Sequence, residues 1–328
     1  MPNSCIIYIV LKNPKGLARS KVALHSLGIE SYHYLWNKAH PPAIKIQPGD
    51  SVNFEVNEVT SWQLTMGAKL KDLIKLDWKK SYPLSGPVFV QGASIGDALV
   101  VEVQEITTAN WGWSGIIPGF GLLPEFRKHF LWIWDLSKSD KITNFKNGLK
   151  VPLSPFCGVM GVARKEEGEF EVMPPGKHGG NMDIKHLTVG SKLLLPVLNQ
   201  GALFSVGDIH SAMGDGEVCV TAIECPGEVK LKFDLIKNAN ITSPRFYTPK
   251  KSSGDSGHFV TTGIASDLME ASRLATRGMI DYLSKEYNLE REEAYILCSV
   301  AADLRIHEVV DTPNWVVGLW MPNEVFGK

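Results

Sequence analysis

Residues 174–217 read PPGKHGGNMDIKHLTVGSKLLLPVLNQGALFSVGDIHSAMGDGE. In this stretch, two polar, glycine-rich segments lie on either side of an apolar run. The apolar run covers residues 193–206 and is broken chiefly by Asn-Gln-Gly at 199–201. Short apolar runs bounded by turn residues are typical of buried β-strands. We therefore predict two strands joined by a short turn as a buried hairpin, with polar side chains at both ends.

The polar segments contain three pairs of candidate ligands, each pair separated by two positions. On an extended chain, residues at this spacing point to the same face. Asp or Asn beside Gly is also common turn chemistry, and that explanation is sufficient for any single pair. For the whole set, which includes a histidine, we favour a binding site. The pairs are Asn181 with Asp183, Asp208 with His210, and Asp215 with Glu217.

Three segments of the chain resemble the acetamidase/formamidase family of amide hydrolases. They are HGGNMDIKHL at 178–187, LPVLNQGALFSVGDIHSAMGDGEV at 195–218 and ADLRIHEVVDTPN at 302–314. The similarity extends from about His33 to the C-terminus. It implies hydrolysis of a short-chain amide, of the formamide or acetamide type, to a carboxylic acid and ammonia. It also implies a mostly β fold and a site associated with metal ions.

The residues themselves favour a metal-activated water over a side-chain nucleophile. The chain has no GxSxG motif and no defensible Ser-His-Asp order, and Cys157 has no histidine beside it in sequence to act as its base. A divalent ion lowers the pKa of a bound water from ~15.7 to about 7, and it needs carboxylate or imidazole ligands. The central stretch supplies both ligand types.

The resemblance and the spacing together assign a role to each candidate residue. Asp208, His210, Asp183 and Asn181 are predicted to hold the divalent ion, with zinc or calcium as the leading candidates. Glu217 or Asp215 is predicted to carry the proton between water and leaving nitrogen. His178, Gly179 and Gly180 are predicted to bind substrate, the two glycines by offering backbone N–H groups to the oxyanion.

Two other classes of protein fit parts of the same pattern. A metal-binding β-sandwich that binds a ligand without turnover would use the same carboxylates around a structural ion. A cupin-like oxygenase fits less well, because the usual HxH pair is missing. The family resemblance favours the hydrolase.

Composition limits the partners. The net charge is −1, so we expect neither a nucleic-acid nor a membrane-surface partner. The five cysteines form no CxxC pair, which favours reduced thiols and a cytoplasmic location. No apolar run approaches the length of a membrane span. We expect a small amide substrate and a homo-oligomer.

Strand-like alternation dominates most of the chain and predicts the fold class. We expect a mainly β protein, built of sandwich-like or barrel-like β units, with a C-terminal α+β unit. The predicted divisions are an N-terminal extension at 1–30, with a strand at 5–11, then a β-rich region carrying the catalytic site at 31–236, and a linker plus C-terminal unit at 237–328. Similar strand-turn-strand phrases recur around Pro48-Gly49-Asp50 and Gly96-Asp97.

The later elements are predicted from shorter patterns. Alternation predicts strands at 218–224 and 229–234, and helical spacing predicts helices at 266–287 and 290–302. Residues 237–262 are polar and predicted to be loop, and the chain is predicted to end in strands at 304–310 and 315–321.

Three further features bear on the site. Met213 stands where the family usually has Gln, and His307 stands where Ser is common. A Trp-rich segment at 108–135 is expected either to line a pocket or to pack in a domain interface. Packing in an interface is the commoner role of such large aromatic residues. His307 is predicted to be structural or exposed, because a single histidine on a strand more often has such a role than a functional one.

Overall fold

The computed structural model describes residues 22–250 and 255–327. The strand predicted at 5–11 lies outside this part. The strands are β1 Leu24–Leu27, β2 Tyr32–His33, β3 Ile44–Ile46, β4 Ser51–Val56, β5 Leu84–Val90, β6 Ala98–Thr108, β7 Trp111–Ile116, β8 Phe130–Asp135, β9 Ile142–Asn144, β10 Lys150–Pro152, β11 Phe156–Val162, β12 Gly179–Asn181, β13 Lys192–Pro196, β14 Ala202–His210, β15 Glu224–Cys225, β16 Gly227–Ile236, β17 Arg245–Tyr247, β18 His258–Ala265, β19 Asp303–Glu308 and β20 Trp315–Pro322. The α-helices are α1 Leu70–Ile74, α2 Leu268–Tyr287 and α3 Arg291–Ala301, and short 3-10 turns cover Trp78–Lys80, Lys146–Gly148 and Asn323–Phe326.

Two large sheets organise these strands. The first sheet has the order β1-β4-β16-β6-β13-β17-β18-β20-β19. The second has the order β12-β11-β14-β15-β7-β8, with β5 also paired to β14, and with β2 and β3 paired to β5. This architecture confirms the predicted mainly β class with helices near the C-terminus.

Aromatic side chains from both sheets pack against one another in the core between them. Phe54 and Phe233 come from the first sheet, Phe204 comes from the second, and all three are fully buried. Their ring centroids lie 5.1–6.4 Å apart in edge-on contacts, a geometry that aromatic rings prefer. Apolar side chains from both sheets therefore meet in one shared core.

The predicted hairpin at 193–206 is wrong, although both of its strands exist. β13 pairs with β6 and β17 in the first sheet, whereas β14 pairs with β11, β15 and β5 in the second. The chain therefore crosses the core at 197–201. Alternating apolar residues indicate that a strand is half-buried, but they do not say which strand lies beside it.

The two similar strand-turn-strand segments around Gly49 and Gly96 both cross from the second sheet to the first. The turn at Gly49 leads from β3 of the second sheet to β4 of the first, and the turn at Gly96 leads from β5 to β6. In both turns an aspartate accepts a hydrogen bond from the backbone N–H three residues earlier, at 2.9 Å: Asp50 from Gln47 and Asp97 from Ser94. These turns are sheet-to-sheet corners.

The C-terminal helices pack on the first sheet. α2 begins after Asp267, whose side chain accepts the Glu270 N–H at 2.7 Å, and it ends before Asn288 in the left-handed conformation. Such caps satisfy helix-end groups. Gly263 of β18 lets the α2 backbone at Ala271 approach closely, since a side chain there would overlap the Ala271 carbonyl.

Two predicted segments need correction. The supposed loop at 237–262 contains β17 and the start of β18, because short strands inside a sheet need little apolar sequence of their own. The strand predicted at 218–224 is an irregular loop that ends in β15. The pairing of β13 with β17 carries the first sheet across the predicted boundary at 236/237. Within residues 22–250 and 255–327, no helix is long and apolar enough to cross a membrane.

Candidate active site

Four neighbouring strands of the second sheet bring the candidate ligands together. β14 lies between β11 and β15, and β12 lies on the far side of β11. Asp208 and His210 end β14, Glu224 lies opposite His210 on β15, and Asp183 follows β12. Strand pairing in the sheet therefore brings residues that are distant in sequence together in one buried group.

His210 is the centre of this group. Its Nδ1 lies 3.6 Å from Asp183 Oδ1, and its Nε2 lies 3.4 Å from Asp208 Oδ1 and 3.0 Å from Glu224 Oε2. Burial by itself would lower the pKa of His210, but the facing carboxylates of Glu224 and Asp208 raise it well above the ordinary value. The ring is thus surrounded by negative charge on both edges.

Glu217 reaches the same group from the irregular loop after β14. Potential ligand atoms of Asp183, His210 and Glu217 lie within 4.8 Å of one another, as do those of Asp208, His210 and Glu224. Burial, reinforced by the charge of Asp183, raises the pKa of Glu217 well above its usual range, and burial raises the pKa of Glu224 to about 8. Carboxylates crowded in this way require a cation or protons.

An unusual backbone conformation sets the direction of three of these acidic side chains. Asp183, Asp208 and Glu217 have φ angles of 45°, 58° and 44°, in the left-handed region that non-glycine residues seldom adopt. The extended geometry assumed for the three sequence pairs is therefore wrong at these positions. Strained residues of this kind concentrate at functional sites, where the surrounding structure holds them in place.

Gly158 forms the floor of the site. A Cβ atom at this position of β11 would lie 2.5 Å from Asp183 Oδ1, 2.9 Å from His210 Cε1 and 3.0 Å from Asp208 Oδ2. Only glycine leaves room for these three side chains to converge.

Several buried polar atoms of the site lack a hydrogen-bond partner among the described residues. They are Asp183 Oδ1, Asp208 Oδ1, His210 Nδ1 and Asn181 Oδ1. Buried polar groups normally find partners, so a set of orphaned atoms calls for an explanation such as an ion. One imidazole with several oxygen donors suits Zn²⁺, and it also suits harder cations such as Ca²⁺.

Asn181 is held by a residue that the sequence analysis did not assign. Its Nδ2 donates to Asp311 Oδ2 at 3.0 Å, and both side chains are buried. Burial and the nearby charge of Asp183 raise the pKa of Asp311 well above its usual range. Asp311 lies in the third of the segments that resemble the family, at 302–314. That resemblance was the only sequence signal for Asp311, because it belongs to none of the three ligand pairs defined by spacing.

Asp215 lies apart from this carboxylate cluster. Its Oδ2 is 3.2 Å from Lys185 Nζ, its Oδ1 is 3.4 Å from His186 Nε2, and its side chain is 35% exposed. Burial would raise its pKa, but the contacts with His186 and Lys185 lower it. The structure brings together Asp183, Asp208, His210 and Glu217, and directs Asp215 to a cationic neighbourhood.

The three predicted substrate-binding residues lie in the interior. The Gly179 N–H donates to the Gly176 carbonyl at 2.9 Å, and Gly180 pairs with Met160 of β11. The His178 ring packs edge-on against Trp36 at 5.1 Å, and burial lowers its pKa to about 3. None of the three lines the two cavities beside the cluster.

Cys157 and His307 are both buried. Burial raises the pKa of the Cys157 thiol, so a thiolate nucleophile is disfavoured there. His307 packs against Trp320 and Phe246, burial lowers its pKa to about 3, and neither ring nitrogen has a hydrogen-bond partner among the described residues. The His307 carbonyl accepts the Gly216 N–H at 2.7 Å, which fixes the loop that carries Glu217.

Two cavities adjoin the cluster and share Glu217 and Thr221. One, of about 540 Å³, is lined by Asp183, Asp208, Glu217 and Glu224 together with apolar side chains. We call it the site cavity. The other, of about 750 Å³, is lined by Asp215 and Met213. The Trp-rich segment is divided between them: Trp113 lines the site cavity, whereas Trp132 and Trp134 line the second cavity.

Comparison with known proteins gives a consistent result. The model of the Acetamidase/Formamidase family matches residues 26–168 and 166–328. The chain is 28% identical to a formamidase of Methylophilus methylotrophus, covering 90% of this chain and 89% of that protein, and 26% identical to an acetamidase of Mycolicibacterium smegmatis, covering 81% and 84%. A solved acetamidase from Bacillus halodurans superposes with a TM-score of 0.85 at 32% identity, covering 92% of this chain and 98% of that one. These matches confirm the resemblance inferred from sequence.

Proposed function

Because this chain belongs to the acetamidase/formamidase family and is a hydrolase of amide C–N bonds, we propose that it cleaves a primary amide with water activated at a divalent ion. The products are a carboxylic acid and ammonia. The observation that supports this is the buried group around His210, whose orphaned oxygen and nitrogen atoms fit an ion. Family membership argues against the alternative of a binding protein without turnover.

Asp183, Asp208 and His210 would hold the ion, and the Asn181 carbonyl oxygen would be an additional donor. When bound, such an ion lowers the pKa of water to about 7 and polarises the amide carbonyl. The Asp311 carboxylate accepts a hydrogen bond from Asn181 Nδ2, and this would leave the Asn181 oxygen, which has no partner among the described residues, available to the ion. Zinc and calcium are the proposed candidates, since one imidazole among several carboxylates suits either.

Glu217 is the proposed proton carrier. It lines the site cavity beside Asp183 and Asp208, and burial together with the charge of Asp183 raises its pKa, which favours proton uptake by this carboxylate. It accepts a proton from the attacking water as the new C–O bond forms. It then returns this proton to the nitrogen as the C–N bond breaks, so that ammonia leaves.

The remaining predicted site residues receive supporting roles in this proposal. Asp215 would orient Lys185 and His186 at the edge of the second cavity. Gly179 and Gly180 would hold β12 against β11, and His178 would pack beneath it, so that Asn181 is placed correctly. Homo-oligomer formation and a cytoplasmic location stay predictions from the sequence.

The test is ammonia release from formamide and acetamide by the purified, chelated and metal-restored protein, with metal content measured in parallel. We expect chelation to abolish turnover and Zn²⁺ or Ca²⁺ to restore it. Full turnover by protein shown to contain no metal would contradict the proposal and would redirect attention to a side-chain nucleophile such as Cys157.

A further inference from the structure

The size of the site cavity is the starting observation. Its volume of about 540 Å³ falls within the roughly 300–1,000 Å³ range of pockets that enclose drug-sized ligands. Formamide and acetamide carry no more than one methyl group beyond the amide. Either would occupy only the part of the cavity beside the carboxylates, and the rest would be left to water.

Apolar side chains form much of the rest of the cavity lining. Among the side chains that form it are Val59, Trp113, Ile117, Phe120, Met173 and Val220. Apolar walls gain from contact with apolar groups, because water is released from both surfaces. The cavity therefore combines a group of carboxylates, where the amide would react, with many apolar lining side chains.

Three polar side chains of this lining already have hydrogen-bond partners within the protein. Trp113 Nε1 donates to Glu58 Oε1 at 2.7 Å, and the Thr60 hydroxyl donates to Glu58 Oε2. The Thr221 hydroxyl donates to the Gly115 carbonyl at 3.0 Å. Ser81 Oγ has no partner among the described residues, and Lys79, Tyr82 and Glu171 also contribute polar groups to the lining. Apart from the candidate site residues and these four side chains, a bound molecule would thus meet mainly apolar groups and polar groups that already have partners.

We infer that the preferred substrate is a primary amide with a bulky apolar acyl group, larger than formamide or acetamide. This inference rests on the proposed function. In a primary amide the nitrogen carries only hydrogen, so the extra apolar bulk must lie on the acyl carbon. The acyl group extends along Val59, Ile117 and Phe120 while the amide lies at Glu217.

The first test measures kcat/KM for formamide, acetamide, butyramide, hexanamide and phenylacetamide by ammonia release. Burial of each additional methylene is expected to raise kcat/KM about 4-fold until the cavity is filled. A value that is flat along the series, or greatest for formamide or acetamide, would overturn the inference while leaving amide hydrolysis intact. Absence of ammonia from every amide would overturn the proposed function and the inference with it.

A matched pair of phenylalanines provides the second test. Phe120 lines the site cavity and is 44% exposed, whereas Phe130 lines only the second cavity and is 49% exposed. Phe120→Ala is expected to lower kcat/KM for hexanamide about 10-fold through loss of apolar contact, and to change the acetamide value less than about 2-fold. Phe130→Ala is expected to leave both values unchanged. Equal effects of Phe120→Ala on the two amides, or no effect on either, would overturn the inference.

Discussion

Asp215 and Glu217 belong to one Gly-Asp-Gly-Glu turn and have opposite surroundings. Glu217 is buried among Asp183 and His210 and lines the site cavity. Asp215, only two residues earlier, is partly exposed and ion-paired to Lys185 and His186. Similar carboxyl groups so close in sequence therefore have pKa values shifted in opposite directions. Environment, not residue type, separates a candidate proton carrier from a structural anion.

The backbone between the two acids produces this separation. Gly216 has φ +96° and Glu217 has φ +44°, so the chain turns sharply where an extended strand would have kept both side chains on one face. The Gly216 N–H donates to the His307 carbonyl, which ties the turn to the end of β19. Contact with a segment ninety or so positions away in sequence thus decides where Glu217 points.

The largest expected effect is on turnover. Glu217→Gln keeps the size of the side chain but removes its ability to carry a proton, and such losses typically cost about 10²–10⁴-fold in rate. We expect kcat for the best amide to fall within that range. Asp215→Asn is the matched change on the other side of the turn, and it is expected to alter kcat by less than about 5-fold.

The pair of variants is informative only with metal content measured by mass spectrometry. Retained metal in Glu217→Gln would separate proton transfer from ion binding. Equal losses of activity in the two variants would show that the turn acts as one unit and would contradict the division of roles between the two acids.

Much of the fold followed from local sequence patterns. Alternating apolar residues located β4, β6, β14 and β16, and helical spacing located α2 and α3 to within a few residues. Partner strands were not predictable in this way. The runs that become β13 and β14 have the same apolar character, yet they lie in different sheets because the chain crosses the core between them. Which strands pair depends on the whole fold, whereas the burial of one face of a strand can be predicted from the local sequence pattern.

The candidate site was predictable to the extent that its residues share one motif. Asp183, Asp208, His210 and Glu217 all come from the stretch 174–217, and the structure gathers them. Glu224 and Asp311 come from elsewhere and join through sheet pairing and through the loop after β19. Gly158 could not be identified, because its function is to have no side chain where three others meet.

Filling the floor of the site is expected to have the next largest effect. The added methyl group of Gly158→Ala would overlap Asp183, Asp208 and His210, forcing the carboxylates apart. We expect metal affinity to fall at least about 10-fold, the lower end of losses seen when a metal site is perturbed from behind its ligands. Titration of chelated protein with Zn²⁺ or Ca²⁺ measures the change.

Gly214→Ala is the control for this substitution. A Cβ atom at Gly214 meets nothing within 4 Å, although this residue lies in the same loop as Asp215 and Glu217. Metal affinity and unfolding temperature should therefore match those of the parent protein. If Gly158→Ala bound metal as tightly as Gly214→Ala, the ion would have to lie elsewhere.

The smallest expected effects concern stability of the metal-free protein, where the two acids of the turn should oppose each other. The folded state raises the pKa of Glu217, so ionisation above pH ~4.5, its unfolded value, destabilises the fold. Glu217→Gln removes this penalty. The variant should therefore unfold at a higher temperature than the parent at pH 7, and the difference should disappear towards pH 4.

Asp215 should show the reverse dependence on pH. Its pKa is lowered by His186 and Lys185 against the effect of burial, so its ionised form stabilises the fold above the unfolded pKa of 3.8, and this stabilisation is lost as pH falls through the folded pKa. Asp215→Asn should lower the free energy of unfolding at pH 7 by less than about 1 kcal/mol, because the pair is partly exposed. Denaturant unfolding from pH 3 to pH 8 measures both variants. Stability differences of the same sign at pH 7 would mean that the two carboxylates share one environment, which would remove the physical basis for assigning proton transfer to Glu217 alone.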